Sequence, residues 1–147
     1  MKPVLHGVAG TMALTLILIF WWSTVISELV LGLEAVRVVK TGILFGLGLL
    51  IPALIATGVS GAFLAQTRPA GRLLSHKRRR MPIVALNGLL VLVPAAIFLQ
   101  TRAAAGTLDA AFYGVQALEL AAGGANILLL GLNMRDGLKL SRVAPGR

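Results

Sequence analysis

The chain contains two histidines, His6 near the amino end and His76 inside the stretch SHKRRRMP (75–82). Two neutral imidazoles are the axial ligand set of a low-spin b-type haem, whose potential a protein sets through ligation and burial. Arg72, Lys77, Arg78, Arg79 and Arg80 surround His76 and could pair with the haem propionates. A second set of residues offers different chemistry. Glu119 is the one acid well inside an apolar run, where an unpartnered charge costs several kcal/mol and usually marks function. Gln116, Glu119, Gly123, Asn126 and Asn133 recur at intervals of three, four, three and seven, which puts them on one helical face. Asn87 enters from the same side to a depth like that of Asn126, so the two amides can bond across an interface. The stripe reads either as interhelical glue or as a proton path or quinone headgroup contact, since a carboxyl can both accept and donate.

Other chemistries drop out. There is no cysteine, which removes disulfides, thiolate nucleophiles, iron–sulfur clusters and cysteine zinc sites together. Zinc wants three or four ligands, and two histidines without a nearby carboxylate fall short. No Walker motif, nucleophile elbow, HExxH or dinucleotide fingerprint occurs. The run KRRR carries no interleaved aromatic residues, so it reads as a patch for anionic lipid headgroups and not for nucleic acid.

Composition names the elements that must hold these groups. With 57% hydrophobic and 13% charged residues in 147, and a mean hydropathy of +0.89, the chain has too little polar surface to dissolve as a globule. A bilayer core about 30 Å thick needs about 20 mostly apolar residues per spanning helix. Segments 4–27, 41–65, 83–101 and 110–132 qualify and use nearly all of the chain. The expectation is therefore a single all-α domain over 1–147, an integral-membrane four-helix bundle. The first apolar run exceeds the roughly 7–15 residues of a signal peptide's core and reads as a retained span.

Charge supplies the orientation. Lys2, Arg68, Arg72, Lys77, Arg78, Arg79, Arg80, Arg135, Lys139, Arg142 and Arg147 fall on the amino end, the 66–82 connection and the tail. Only Arg37, Lys40 and Arg102 fall on the other two connections. Such a bias places both termini in the cytoplasm, in a multi-pass protein of a bacterial inner membrane. Trp21 and Trp22 read as interfacial belt residues at the outer end of the first span. Pro52 and Pro94 should kink the second and third spans. Small residues at four-residue spacing let backbones approach. Gly42 and Gly46, then Ala53, Thr57, Gly61 and Ala65, form such rows in the second span, and Ala117, Ala121 and Ala125 another in the fourth. These rows could seal the bundle or join it to a second copy, as a homodimer, or to a larger membrane complex.

The stretches KRRRMPIVALNGLLVLVPAAIFL and FYGVQALELAAGGANILLLGLNMRDGLKLS resemble segments of small, uncharacterised four-span bacterial membrane proteins, a family that implies no activity. In architecture alone the chain is similar to small b561-type cytochromes, from which it departs in having no histidine within any span.

Three functions follow as expectations, none of them an enzyme in its own right. One is an electron-transfer protein with one haem b near the cytoplasmic face, held by His6 and His76, and a quinone or proton route near Glu119 and Asn126. Another is an accessory or scaffold subunit without a cofactor. The third is a small carrier or proton path using Glu119. The haem reading requires a Soret band in the detergent-purified protein that shifts on dithionite reduction and is lost in His6→Ala and His76→Ala; a colourless protein after haem supplementation removes it.

Overall fold

The computed structural model describes residues 3–66 and 72–143, with side chains described over 4–64 and 79–139. Every regular element among them is helical. The order is α1 (Pro3–Ile26), a π-helical turn at Ser27–Leu31, α2 (Leu33–Gln66), α3 (Arg72–Asn87), a second π turn at Gly88–Leu92, α4 (Val93–Ala104) and α5 (Ala110–Val143). The α3 helix, its π turn and α4 run on as one rod. Four helices are thus long and apolar enough to cross a membrane: Val4–Leu31, Leu33–Leu64, Arg79–Ala104 and Ala110–Lys139. The α1 helix packs on α2, α2 on α4, the α3–α4 rod on α5, and α5 closes back on α1. The result is an up-and-down four-helix bundle with an amino-terminal end and, opposite it, a turn end.

The helices run further than apolarity alone suggests. The second begins at Leu33, eight positions before the expected 41, and the basic stretch expected as a connection over 66–82 is helical from Arg72. Lysine and arginine are good helix formers, so a charge ends an apolar run without ending the helix. Pro94 removes one ladder donor, and the Val93 N–H reaches back five residues to the Gly88 carbonyl, which makes the wide turn. Pro52 lies on an exposed face, and α2 continues through it.

The turn end is closed by backbone chemistry. Gly32 (φ 82°) alone separates the first π turn from α2, and Gly106 (φ 71°) ends α4. At Gly106 the N–H groups of residues 106 and 107 return to the carbonyls of Ala103 and Arg102, a Schellman closure that needs a left-handed residue. Arg37 of α2 adds bonds to the Ala103 and Ala104 carbonyls at 3.3 and 3.0 Å. Asp109 caps α5 by accepting from the Phe112 N–H at 2.9 Å, and its other oxygen pairs with Arg102 at 3.0 Å.

Small residues decide where the rods touch. One core cluster gathers Ala13, Ile17, Ile43, Leu47, Leu50, Ala53, Val84, Ala96 and Leu130, and a second at the turn end gathers Val36, Leu99, Ala103 and Phe112. The Ala53–Thr57–Gly61 row faces α1, with Gly10 against Thr57 and the His6 ring against Gly61. The expected Gly42–Gly46 pair divides. Gly46 receives the Phe20 ring so closely that a Cβ there would fall 2.8 Å from Cε1, whereas Gly42 faces open space. Ala117, Ala121 and Ala125 are all exposed and seal nothing among the described residues.

Gly46→Val should therefore destabilise the bundle by about 1–3 kcal/mol through overpacking, while Gly42→Ala stays within about 0.5 kcal/mol. Reversible unfolding in mixed micelles checks both, and Phe20→Ala should recover part of the Gly46→Val loss.

Candidate functional site

The buried stripe of α2 is Val36, Lys40, Ile43, Leu47 and Leu50, spaced four, three, four and three. Lys40 occupies a core position in that stripe, and its side chain has 0% exposure. An ammonium cannot stay there without partners. Its Nζ bonds Glu119 Oε2 on α5 at 2.7 Å and donates to Thr24 Oγ1 on α1 at 3.4 Å. It also faces Glu28 Oε1 at 3.9 Å. Gln116, one turn before Glu119, donates to the same carboxylate oxygen at 3.1 Å. Three helices thus converge on one cation.

Glu28 arrives through the π turn. A five-residue turn rotates the chain differently from an α turn, and Ser27, whose hydroxyl bonds back to the Thr24 carbonyl at 3.0 Å, is wholly buried beside it. The carboxylates are nearly enclosed, with 15% of Glu28 and 12% of Glu119 exposed. The cluster carries two acids against one base. Two of its buried acceptors, Glu28 Oε1 and Gln116 Oε1, have no hydrogen-bond donor among the described residues. The cluster thus combines one more acid than base with two buried acceptors that no described donor reaches within hydrogen-bond distance.

Two further polar stations lie along α5 toward the amino-terminal end. Asn87 Nδ2 donates to Asn126 Oδ1 at 2.9 Å and to the Ala122 carbonyl at 2.8 Å, so the two amides do meet across the interface. Beyond them Arg80 pairs with Asp136 at 2.8 Å, and Asn133 donates to Met81 Sδ at 3.1 Å. Between the ion cluster and the amide pair stands Trp21. It is half-buried, donates its Nε1–H to the Leu120 carbonyl at 3.0 Å and lies on Gly123. Trp21 is therefore an interhelical contact, whereas Trp22, 55% exposed, faces outward.

The histidine set is held differently. Ser60 Oγ gives its hydrogen to the Ala56 carbonyl, so the bond at 2.9 Å is donated to it by His6 Nδ1. Such a bond fixes the ring of His6, as second-shell bonds fix metal-ligating imidazoles. The side chains of His76, Arg72, Lys77 and Arg78 lie outside the described residues, and Arg79 is exposed. Among the described residues no group of three or more histidines and acids could hold a metal ion. Gln116 and Glu119 belong to the ion cluster, and Asn87 with Asn126 to a separate one.

Comparison with protein-family models, with curated proteins and with solved structures finds no match to this chain.

Lys40 and Glu28 escape a sequence reading that treats charges as span borders. The signal that could have found Lys40 is its place in the 36–40–43–47–50 stripe; none marks the π turn. Asp136 extends the α5 stripe by three residues beyond Asn133. Lys40→Met leaves two carboxylates buried without their cation and should cost about 3–5 kcal/mol of stability. Adding Glu119→Gln to that variant should recover a substantial part, as chemical unfolding of the two proteins will show.

Proposed function

We propose that the protein is a small multi-pass membrane protein that binds and passes protons through the Glu28–Lys40–Glu119 cluster. The observation that carries the reading is the fully buried Lys40 ammonium held between two carboxylates from different helices. Ionisable groups at this depth are expensive and mark proton relays or substrate paths in membrane proteins. As a structural tie alone the arrangement is uneconomical. One carboxylate would neutralise Lys40, and a buried ion pair is seldom more stable than apolar packing of the same volume. The second carboxylate is the functional excess: the cluster is neutral only when it holds one proton more than two carboxylates and an ammonium carry.

The positive-inside bias orients the amino-terminal end to the cytoplasm. The cluster then lies in the outer half of a bacterial inner membrane, reached from the turn end past the partly exposed Glu28. A proton arriving on Glu28 loosens its attraction to Lys40. The ammonium then leans wholly on Glu119, and proton exchange between the oxygens needs only rotation of side chains already within about 4 Å of one nitrogen. Each step breaks one O–H or N–H bond and forms another.

A second reading rests on a different observation. Ala117, Ala121 and Ala125 present an exposed small-residue row on α5, the kind of surface against which another helix packs in lipid. An accessory subunit of a larger membrane complex would use it.

Reconstitution into vesicles with an internal pH dye separates the two. Under a potassium diffusion potential the wild-type protein should acidify the lumen, and Glu119→Gln should reduce the rate to that of empty vesicles. Equal rates for the two proteins would remove the proton reading and leave the accessory one.

A further inference from the structure

The ion cluster and the Asn87–Asn126 pair share one face of α5 but do not touch. At about 1.5 Å rise per residue, the positions of Glu119 and Asn126 are roughly 10 Å apart along the axis. Gly123 lies between them on that face, four residues after one and three before the other. Its missing side chain is replaced by the Trp21 indole: a Cβ on Gly123 would stand 3.3 Å from Trp21 Cδ1, and one on Gly124 3.9 Å from Nε1. The neighbouring Phe20 does the same to α2, where its ring fills the notch at Gly46. Consecutive residues of α1 therefore send one ring into each neighbouring helix, at one level of the bundle. This aromatic layer lies about one helical turn from Thr24 on α1.

The two rings are held unequally. Phe20, itself half-buried, presses on the Gly46 backbone so closely that no side chain fits between them. Trp21 is half-buried, rests on two glycines and stands edge-on to the Trp22 ring with centroids 5.1 Å apart, and its polar tether is a single bond to the Leu120 carbonyl at 3.0 Å. A mid-helix carbonyl already serves the helix ladder, so it gives up this extra bond without being orphaned. The glycine floor also leaves an open groove along α5 once the indole swings out. We propose that the Phe20–Trp21 layer is the barrier of the proton path and that Trp21 is its moving part, closing the ion cluster off from Asn87 and Asn126 until its indole leaves the Gly123–Gly124 seat. This rests on the proton-path reading above. Trp21 is a gating residue, acting on passage and not on the proton-binding groups.

The same vesicle assay tests it with Trp21→Phe, Trp21→Ala, Trp22→Phe and the double variant Trp21→Ala/Glu119→Gln. Trp21→Phe keeps a ring and loses the tether, and it should raise the Glu119-dependent rate roughly five- to tenfold, the population change that one lost hydrogen bond supplies. Trp21→Ala should raise it at least as far, Trp22→Phe, which keeps a ring edge-on to Trp21, should leave it near the wild-type rate, and the double variant should return it to background. Glu119-dependent flux that neither Trp21 variant alters would overturn the gate while sparing the proton path. A leak in Trp21→Ala that survives in the double variant would also overturn it, because that proton bypasses the cluster. If no variant conducts in a Glu119-dependent way, the proton path itself is wrong and the gate falls with it.

Discussion

A lysine whose ammonium has no exposed surface, set in the core stripe of an otherwise apolar helix, constrains everything packed around it. Lys40 holds its place because α1 and the π turn after it deliver Thr24 and Glu28 to it and α5 delivers Glu119 and Gln116. Those contacts set the rotation and axial position of three helices at once. Sliding α5 by one turn, about 5.4 Å, would strip the cation of its 2.7 Å partner. Apolar packing has no comparable power to choose a register, since lipid tails are as apolar as leucine. The one-residue hairpin at Gly32 serves the same end by tying Glu28 to the start of α2.

Away from the cluster, contact is governed by side-chain size. Phe20 on Gly46, Trp21 on Gly123 and His6 on Gly61 are three large rings seated on three glycines. Each seat fixes one crossing point, and the polar stations on α5 fall between such points. The turn end needs little loop, because Arg37 reaches across to the carbonyls that end α4 and Asp109 caps α5. Residues that read as topology charges thereby hold helix ends.

Much of this architecture is legible in the chain. Four apolar runs separated by charge yield four long helices. The period of Gln116, Glu119, Asn126 and Asn133 picks out the buried face of α5, and the matched depths of Asn87 and Asn126 anticipate their bond. The centre of the site is less legible for two physical reasons. A hydropathy run stops at a charge, so Lys40 falls into a connection, although its spacing to Val36 and Ile43 matches the buried stripe. Glu28 depends on a wide turn, and helical periodicity assumes 3.6 residues per turn throughout. The small-residue rows show a similar limit. The same spacing seals α2 against α1 and leaves Ala117, Ala121 and Ala125 facing outward, because spacing records what can pack and not which partner arrives.

The π turns at Ser27–Leu31 and Gly88–Leu92 each hold one residue more than an α-helical ladder would use over the same rise. They are the two points in these rods where length is slack. Elsewhere, removing a residue rotates all that follows by about 100° and turns a buried stripe outward. Here the deletion can be absorbed by closing the wide turn into an ordinary one, which keeps α3 and α4 in phase across Gly88–Leu92 and α1 in place before the Gly32 hairpin. The two turns differ in what such shortening would cost. At Gly88–Leu92, which has no buried residue, it would remove only a local irregularity before a proline. At Ser27–Leu31 it would swing Glu28 away from Lys40, so a single lost codon there would convert a three-group ionic site into a plain ion pair within an intact fold.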